Sequence, residues 1–251
     1  MQKVAVITGA SSGIGKATAE LFASRGYSLA VIARRESLLT SLVDGLQKLG
    51  PGKFIPYVAD VSSWESVETM AKKIEADWPA VNVLINNAGA FDYGPIEKIS
   101  PEKIDELIHV NVRGVIATTR SLLPHLKKGV ASGGGRIINV SSIAGLWGFP
   151  NMAAYSATKF AVAGFGSALG RELKPQGISV STIFPGPVNT KLAKGTRPQK
   201  KMVKIPEDVA KEILALAEGG RRRKVHPIFG ALSLVDQVST DAVDKVLKKI
   251  L

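Results

Sequence analysis

Val4-Ala5-Val6-Ile7-Thr8-Gly9-Ala10-Ser11-Ser12-Gly13-Ile14-Gly15 carries an apolar, β-branched run directly into a turn of three glycines and two serines. Four consecutive apolar residues read as a strand buried on both faces. Residues 16–25, closed by Gly26, read as a helix. A strand that ends in glycines, followed at once by a helix, is the first half of a βαβ unit. Glycine at positions 9, 13 and 15 permits a tight turn and a close backbone approach to a ligand. The helix N-terminus adds free N–H groups and the positive end of its dipole, which suits a phosphate. The spacing is Gly-x3-Gly-x-Gly rather than Gly-x-Gly-x-x-Gly, with the same mechanics. Gly9, Ser11, Ser12, Gly13, Ile14 and Gly15 are therefore candidate cofactor-binding residues.

The same alternation continues along the chain. Strands are expected at 28–33, 53–58, 81–86, 136–140 and 178–183, with a last short one near Lys224-Val225-His226. Helices are expected at 36–49, at 64–78 with Ser62 or Ser63 as N-cap, across most of 101–124, through the segment carrying Tyr155, and at 206–218. Apolar strands alternating with helices predict an α/β fold: one doubly wound parallel sheet of about seven strands, of Rossmann type, with helices on both faces. No repeat or low-complexity linker interrupts it, so residues 1–251 read as a single domain.

Composition narrows the chemistry. The chain has no cysteine, which excludes disulfides, thiolate metal sites and cysteine nucleophiles. Its three histidines, His109, His125 and His226, are far apart, and no metal site is expected. The formal net charge is +12, but the positive residues are dispersed apart from Arg221-Arg222-Arg223-Lys224 and Lys200-Lys201. A basic surface attracts anions, yet no zinc finger, Arg-rich tail or aromatic-basic interleaving points to nucleic acid. No apolar run approaches a membrane span or a signal-peptide core, so a soluble cytoplasmic protein is expected, with no membrane partner.

Two further features bear on chemistry. The second strand ends in Ala33-Arg34-Arg35, with no carboxylate before Glu36. A carboxylate there would hold a ribose 2′-hydroxyl and repel a 2′-phosphate; guanidinium binds the phosphate through bidentate, charge-assisted bonds. Arg34 and Arg35 thus favour NADP over NAD. Tyr155 and Lys159 stand four apart, so on a helix the ammonium lies beside the phenol. A fixed positive charge there is expected to favour the phenolate, lower the phenol pKa and make the pair a proton donor and acceptor. Such a pair alone is a weak signal.

Together, Thr8 to Gly15, Asp60-Val61, Asn86-Asn87-Ala88-Gly89, Asn111, Ser141-Ser142, Tyr155-x3-Lys159 and Pro185-Gly186-Pro187-Val188-Asn189-Thr190 resemble the short-chain dehydrogenase/reductase family over nearly the whole chain. The resemblance implies a catalytic set of Asn111, Ser142, Tyr155 and Lys159. It implies hydride transfer between NADP(H) and a carbonyl or secondary alcohol. Tyr155 would protonate the developing alkoxide, and Ser142 would donate a second hydrogen bond to it. Lys159 would tune Tyr155 and hold the nicotinamide ribose, and Asn111 would position a water linking the lysine to solvent. Ser141 would be a local hydrogen-bonding neighbour. The resemblance also places Asp60 and Val61 at the adenine, Asn87, Ala88 and Gly89 at the adenosine ribose, and Pro185, Gly186, Val188 and Thr190 at the nicotinamide and pyrophosphate. Residues 190–205 form the substrate loop; lysine-rich and carrying Gly195 and Pro198, the stretch is expected to be mobile where relatives often carry a lid helix.

Residues after the catalytic serine and the fourth strand usually wall the substrate pocket. Here they are Phe91, Tyr93, Leu146, Trp147, Phe149 and Met152, which favour an apolar or aromatic carbonyl. Phe91, Trp147, Phe149 and Met152, with Ser142, are the candidate substrate-binding residues. Lys191, Lys194 and Arg197 read as a solvated loop. Residues 237–251 contain an amphipathic helix, with Val243, Val246, Leu247, Ile250 and Leu251 opposite Lys245, Lys248 and Lys249. By the resemblance, a homodimer or homotetramer is expected. The rival readings are a 3-oxoacyl-carrier-protein reductase, a non-catalytic dinucleotide sensor and, from charge alone, a nucleic-acid binder.

Overall fold

Successive residues of the central strands belong to two different apolar cores. Val4 and Val6 pack on one side of the sheet, whereas Ala5 and Ile7 pack on the other. This is the period of two expected of a strand covered on both faces. The computed structural model describes residues 2–190 and 203–219 and the backbone of 223–224.

The strands are β1 (Val4–Thr8), β2 (Ser28–Ala33), β3 (Phe54–Val58), β4 (Val83–Asn86), β5 (Arg136–Val140), β6 (Ser179–Ile183) and a two-residue β7 (Arg223–Lys224). They are all parallel, in the order β3-β2-β1-β4-β5-β6-β7. Six full strands and a short seventh thus make the doubly wound α/β sheet that the alternating pattern predicts. Val225, His226 and the helix expected at 237–251 lie outside the described residues, as does most of the 190–205 loop.

One core holds α3 (Trp64–Asp77), α4 (Pro101–Ile108), α5 (Gly114–Val130) and α6 (Ala153–Leu173) against the sheet. The other holds α1 (Gly13–Ser24), α2 (Glu36–Leu46) and α7 (Pro206–Ala217). Because β1 leads into α1 on one face and β4 leads toward α5 on the other, a crevice opens between their carboxyl ends. That switch point is where open α/β sheets bind ligands.

Of the two serines open as N-cap, Ser63 caps α3, its hydroxyl accepting from the Ser66 N–H at 3.3 Å. Other element ends differ from expectation for physical reasons. Helix α5 runs through Pro124 to Val130 instead of stopping at the proline. An interior proline costs a helix about 3 kcal/mol, but Leu126 and Gly129 beyond it are buried, and a Cβ on Gly129 would lie 2.0 Å from the Val81 carbonyl oxygen. Close packing against the sheet outweighs the proline. Between α4 and α5, residues His109–Arg113 form a single π turn, and Asn111 sits in it. Such turns change the direction in which a helix presents its side chains, often at functional sites.

β4 begins at Val83 rather than at residue 81. Asn82 takes the place of a ladder residue: its N–H donates to Val4 O at 2.9 Å, and its Oδ1 accepts from Val4 N–H at 2.8 Å. Its Nδ2 donates to Ser132 Oγ at 2.8 Å, tying the start of β1 to the end of α5. The residue is 3% exposed. Asn82→Ala leaves the Val4 N–H buried and unpaired, so we expect a loss of about 2 kcal/mol or more of stability, read as a lower denaturant midpoint with an unchanged m-value.

Candidate active site

A cavity of about 710 Å³ lies over the carboxyl ends of the strands. Each strand end contributes: Gly9 to Ile14 after β1, Arg34 and Arg35 after β2, Asp60 and Val61 after β3, Asn87 to Gly89 after β4, Ser141 and Ser142 after β5, and Pro185 to Thr190 after β6. Of the residues singled out in the sequence, Asn111, Gly15, Leu146 and Trp147 do not line it, whereas the rest of the cofactor set, Ser142, Tyr155, Lys159, Phe91, Tyr93, Phe149 and Met152 do.

The glycine turn is shaped as its composition requires. Gly9 has φ +67°, and a Cβ there would lie 2.8 Å from Ala88 Cα; at Gly15 a Cβ would lie 2.3 Å from Gly9 O. Gly15 thus serves the turn by close packing and not by facing the cavity. Thr8 Oγ1 accepts from the N–H groups of Asn87 at 2.9 Å and Ala88 at 3.0 Å, and Asn87 Nδ2 donates to Thr8 O at 2.9 Å. Asn87's side chain therefore joins the ends of β1 and β4. Ser12 is the N-cap of α1, makes no side-chain cap bond, and is followed by a first turn without acidic residues. The first N–H groups of α1 and its positive dipole end remain suited to an anion. The donor set and the space left by glycine fit a dinucleotide's pyrophosphate.

At the next strand end the two arginines differ. Arg35 Nη2 donates to Ser11 Oγ at 2.9 Å and to Ser12 Oγ at 3.2 Å, lying over the glycine turn. Arg34 Nη1 is 3.9 Å from Asp60 Oδ2, with its side chain 64% exposed. Asp60 Oδ1 also accepts from the Ser62 N–H at 2.9 Å and hydroxyl at 2.7 Å.

Deeper in, α6 presents Tyr155 and Lys159 on one face. Burial pushes the Tyr155 phenol up to about 12, with a Ser142 hydrogen bond pulling it down. Burial pushes the Lys159 ammonium down to about 8. This corrects the expectation that a nearby positive charge lowers the phenol: burial is the largest cause and raises it, with Lys159 Nζ 5.6 Å from the ring centroid. Lys159 Nζ donates to Val140 O at 3.2 Å, and Ser141 Oγ donates to Lys159 O at 3.0 Å, so the strand end grips the helix. Ser142 Oγ accepts from the Ala144 N–H at 3.2 Å, which leaves its own proton free to donate.

Asn111 is buried beneath this pair. Its Oδ1 accepts from Ala90 N–H at 2.7 Å; its Nδ2 donates to Ala90 O at 2.9 Å and Thr158 Oγ1 at 3.0 Å. Both Nδ2 protons and one Oδ1 lone pair hold the turn after β4 against α6. Thr158, whose hydroxyl donates to Tyr155 O at 2.7 Å, is the partner not singled out in the sequence. The signal was a threonine three residues after the tyrosine, where back-bonding to the helix carbonyl is common.

The aromatic wall is narrower than expected. Phe91 stands edge-on to Tyr155, with centroids 4.8 Å apart and an interplanar angle of 80°. Phe149, Met152 and Tyr93 join it in the cavity lining. Trp147 does not: it is 0% exposed and packs with Leu146 and Phe184, so apolar burial removes both Trp147 and Leu146 from the substrate wall. Among the described residues no group of three or more His, Cys, Asp or Glu could hold a metal ion, and no helix is long and apolar enough to cross a membrane.

This arrangement defines a class, and comparison with known proteins agrees. A family model described as short chain dehydrogenase matches residues 3–201, and the chain belongs to that family. It is 35% identical over 226 residues to a 3-oxoacyl-acyl-carrier-protein reductase of Thermotoga maritima, covering 86% of this chain and 90% of that protein. It is 37% identical over 193 residues to a short chain dehydrogenase of Pseudocercospora fijiensis, covering 76% of this chain but only 61% of that one. Among solved structures, an alcohol dehydrogenase from Thermococcus sibiricus, complexed with 5-hydroxy-NADP, aligns with a TM-score of 0.82 at 30% identity, over 90% of this chain and 95% of that one. A 3-ketoacyl-acyl-carrier-protein reductase from Brucella melitensis, complexed with NADH, aligns with a TM-score of 0.79 at 32% identity, over 86% and 90%.

Lys159 carries a stability cost that can be measured. The gap between the ordinary lysine value of 10.5 and about 8 corresponds to about 3 kcal/mol of unfavourable charge burial. Because the unfolded chain binds the proton more tightly, the cost is fully present below pH 8 and fades as pH rises toward 10.5. Lys159→Met should therefore melt several degrees higher than the unsubstituted protein at pH 7, with the gain shrinking at pH 10, and should lose carbonyl turnover.

Proposed function

We propose that this chain is an NADP(H)-dependent oxidoreductase that interconverts a carbonyl and a secondary alcohol on an apolar or aromatic substrate. The observation that carries the reading is the continuity of one cavity from the α1 N-terminus to the Ser142, Tyr155 and Lys159 cluster. A dinucleotide with its phosphates at the glycine turn has its other end in reach of that cluster. Arg34 and Arg35, with the Ser11 and Ser12 hydroxyls, supply the charge and donors that a ribose 2′-phosphate requires. The cofactor, when bound, supplies the hydride.

The chain's own residues supply the rest. Tyr155 is a neutral phenol at physiological pH and can give a proton to an oxygen that gains charge. Ser142 donates a second hydrogen bond to that oxygen, stabilising charge that develops only in the transition state. Lys159, held by Val140 O, places a positive group beneath the phenol as it becomes phenolate. Asn111 positions Lys159's helix against the turn at Ala90 and does not itself touch the substrate. Phe91, Phe149 and Met152 give the substrate an apolar seat and exclude water from it.

A 3-oxoacyl-carrier-protein reductase is the second reading, favoured by the similarity to the Thermotoga maritima protein across 90% of its length. We also propose a single domain in which residues 190–205 form the substrate loop, a cytoplasmic location, and assembly as a homodimer or homotetramer.

NADPH oxidation against aromatic ketones, aldehydes, 3-oxoacyl thioesters and sugars tests the reading. We expect the highest turnover on aromatic or apolar ketones and a loss of at least 100-fold for Tyr155→Phe, in keeping with the usual contribution of a general acid. NADPH binding without turnover of any carbonyl would point instead to a sensor. Arg34→Ala/Arg35→Ala should raise the KM for NADPH by about 10-fold or more while leaving that for NADH within a few-fold; equal losses for both cofactors would remove the arginines from 2′-phosphate recognition.

A further inference from the structure

Two loops face each other across the substrate end of the cavity. One follows β4 and carries Phe91 and Tyr93; the other precedes α6 and carries Phe149, Pro150, Asn151 and Met152. Their separation decides what passes between them, and Asn151 spans it. Its carbonyl accepts from the Gly94 N–H at 2.9 Å, and its Nδ2 donates to Tyr93 Oη at 3.4 Å.

Asn151 is also the one non-glycine residue with positive φ among the described residues, at 61°. An L side chain in the left-handed region is strained, and such strain persists where surrounding contacts over-determine it. Asparagine tolerates that conformation better than most residues, but glycine would do so at less cost. What asparagine adds over glycine is an amide, and here the amide reaches the tyrosine of the opposite loop. The conformation has a second consequence. The next residue, Met152, is the N-cap of α6, and its carbonyl accepts from the Ser156 N–H at 2.7 Å. The turn at Asn151 therefore sets where the helix bearing Tyr155 begins. Both loops are fixed at their far ends: Phe91 lies edge-on to Tyr155, and Trp147 is buried two residues before Phe149. Among the described residues, the Tyr93–Asn151 side-chain bond reinforces the Gly94–Asn151 backbone bond in closing the outer side.

We infer that Tyr93 and Asn151 form a clasp that fixes the width of the substrate entrance, making Asn151 a specificity-determining positioning residue that selects against bulky carbonyl substrates. This rests on the carbonyl-reductase reading above. Neither residue touches the reacting atoms; they act by holding Phe91 and Phe149 at a set spacing.

The test uses Tyr93→Phe, Asn151→Gly and the double variant. Asn151→Gly keeps the left-handed turn without strain and removes only the amide, so folding is preserved. Hydrogen exchange of the peptide containing Gly94 reads the clasp without any substrate: each single variant should exchange at least three-fold faster there, and the double variant no faster than the quicker single. Unchanged exchange would overturn the clasp. The ratio of kcat/KM for 2-acetonaphthone to that for acetone reads selection: each variant should raise it several-fold, through KM for the larger ketone and not through KM for NADPH. Faster exchange with an unaltered ratio would overturn the selectivity claim. Faster exchange in a protein that reduces no ketone at all would uphold the clasp and refute the reductase reading.

Discussion

A lysine ammonium buried with no carboxylate beside it among the described residues is the constraint around which this molecule is arranged. Lys159 is 6% exposed, and its amine finds a carbonyl, that of Val140, at 3.2 Å. Burial of a charge without an opposite charge is costly, so the surroundings must hold it by force of packing. They do so from three sides. Ser141 holds the lysine's own carbonyl, Asn111 and Thr158 fasten the adjacent turn of α6, and Gly89 is close enough that a Cβ there would lie 3.8 Å from the amine. The result is a phenol and an amine that both favour their neutral forms more than in water. A neutral phenol is the state that reduction of a carbonyl uses.

The sheet makes this arrangement possible. Parallel strands with apolar residues on both faces leave their carboxyl ends as the one place where backbone groups and polar side chains converge. Seen from there, the sheet divides the labour. Strand ends β1, β2 and β3 hold the glycine turn, the arginines and Asp60, and strand ends β4, β5 and β6 hold Asn87 to Gly89, Ser141 and Ser142, and Pro185 to Thr190. The crevice between β1 and β4 joins the two halves, with Thr8 and Asn87 bonded across it.

What could be read in the sequence was whatever local pattern determines. The strands 28–33 and 136–140 match residue for residue, because apolar runs between turn residues have few alternatives. Gly9 and Gly13 were legible because only glycine suits their backbone, and Tyr155 with Lys159 because a fixed helical spacing joins them. Long-range contacts were not legible. Nothing local distinguishes Trp147, which is buried, from Phe149 two residues on, which faces the cavity. Pro124 read as a helix end because its cost is local, whereas the packing of Leu126 and Gly129 that outweighs it is not. The direction of the phenol's pKa is hidden from the sequence for a similar reason: spacing gives proximity, but burial depends on the whole fold. Thr158 and the π turn that aims Asn111 follow from the meeting of two helices distant in sequence.

The central claim is that Tyr155, kept neutral by burial, is the proton donor to the substrate oxygen. The most direct test is the pH dependence of kcat/KM measured in both directions on one carbonyl–alcohol pair. The account predicts mirror-image profiles. Reduction stays level through neutral pH and falls with unit slope as the phenol ionises at alkaline pH, and oxidation rises over the same range. A reduction rate that rises with pH, or that falls already below neutrality, would contradict it.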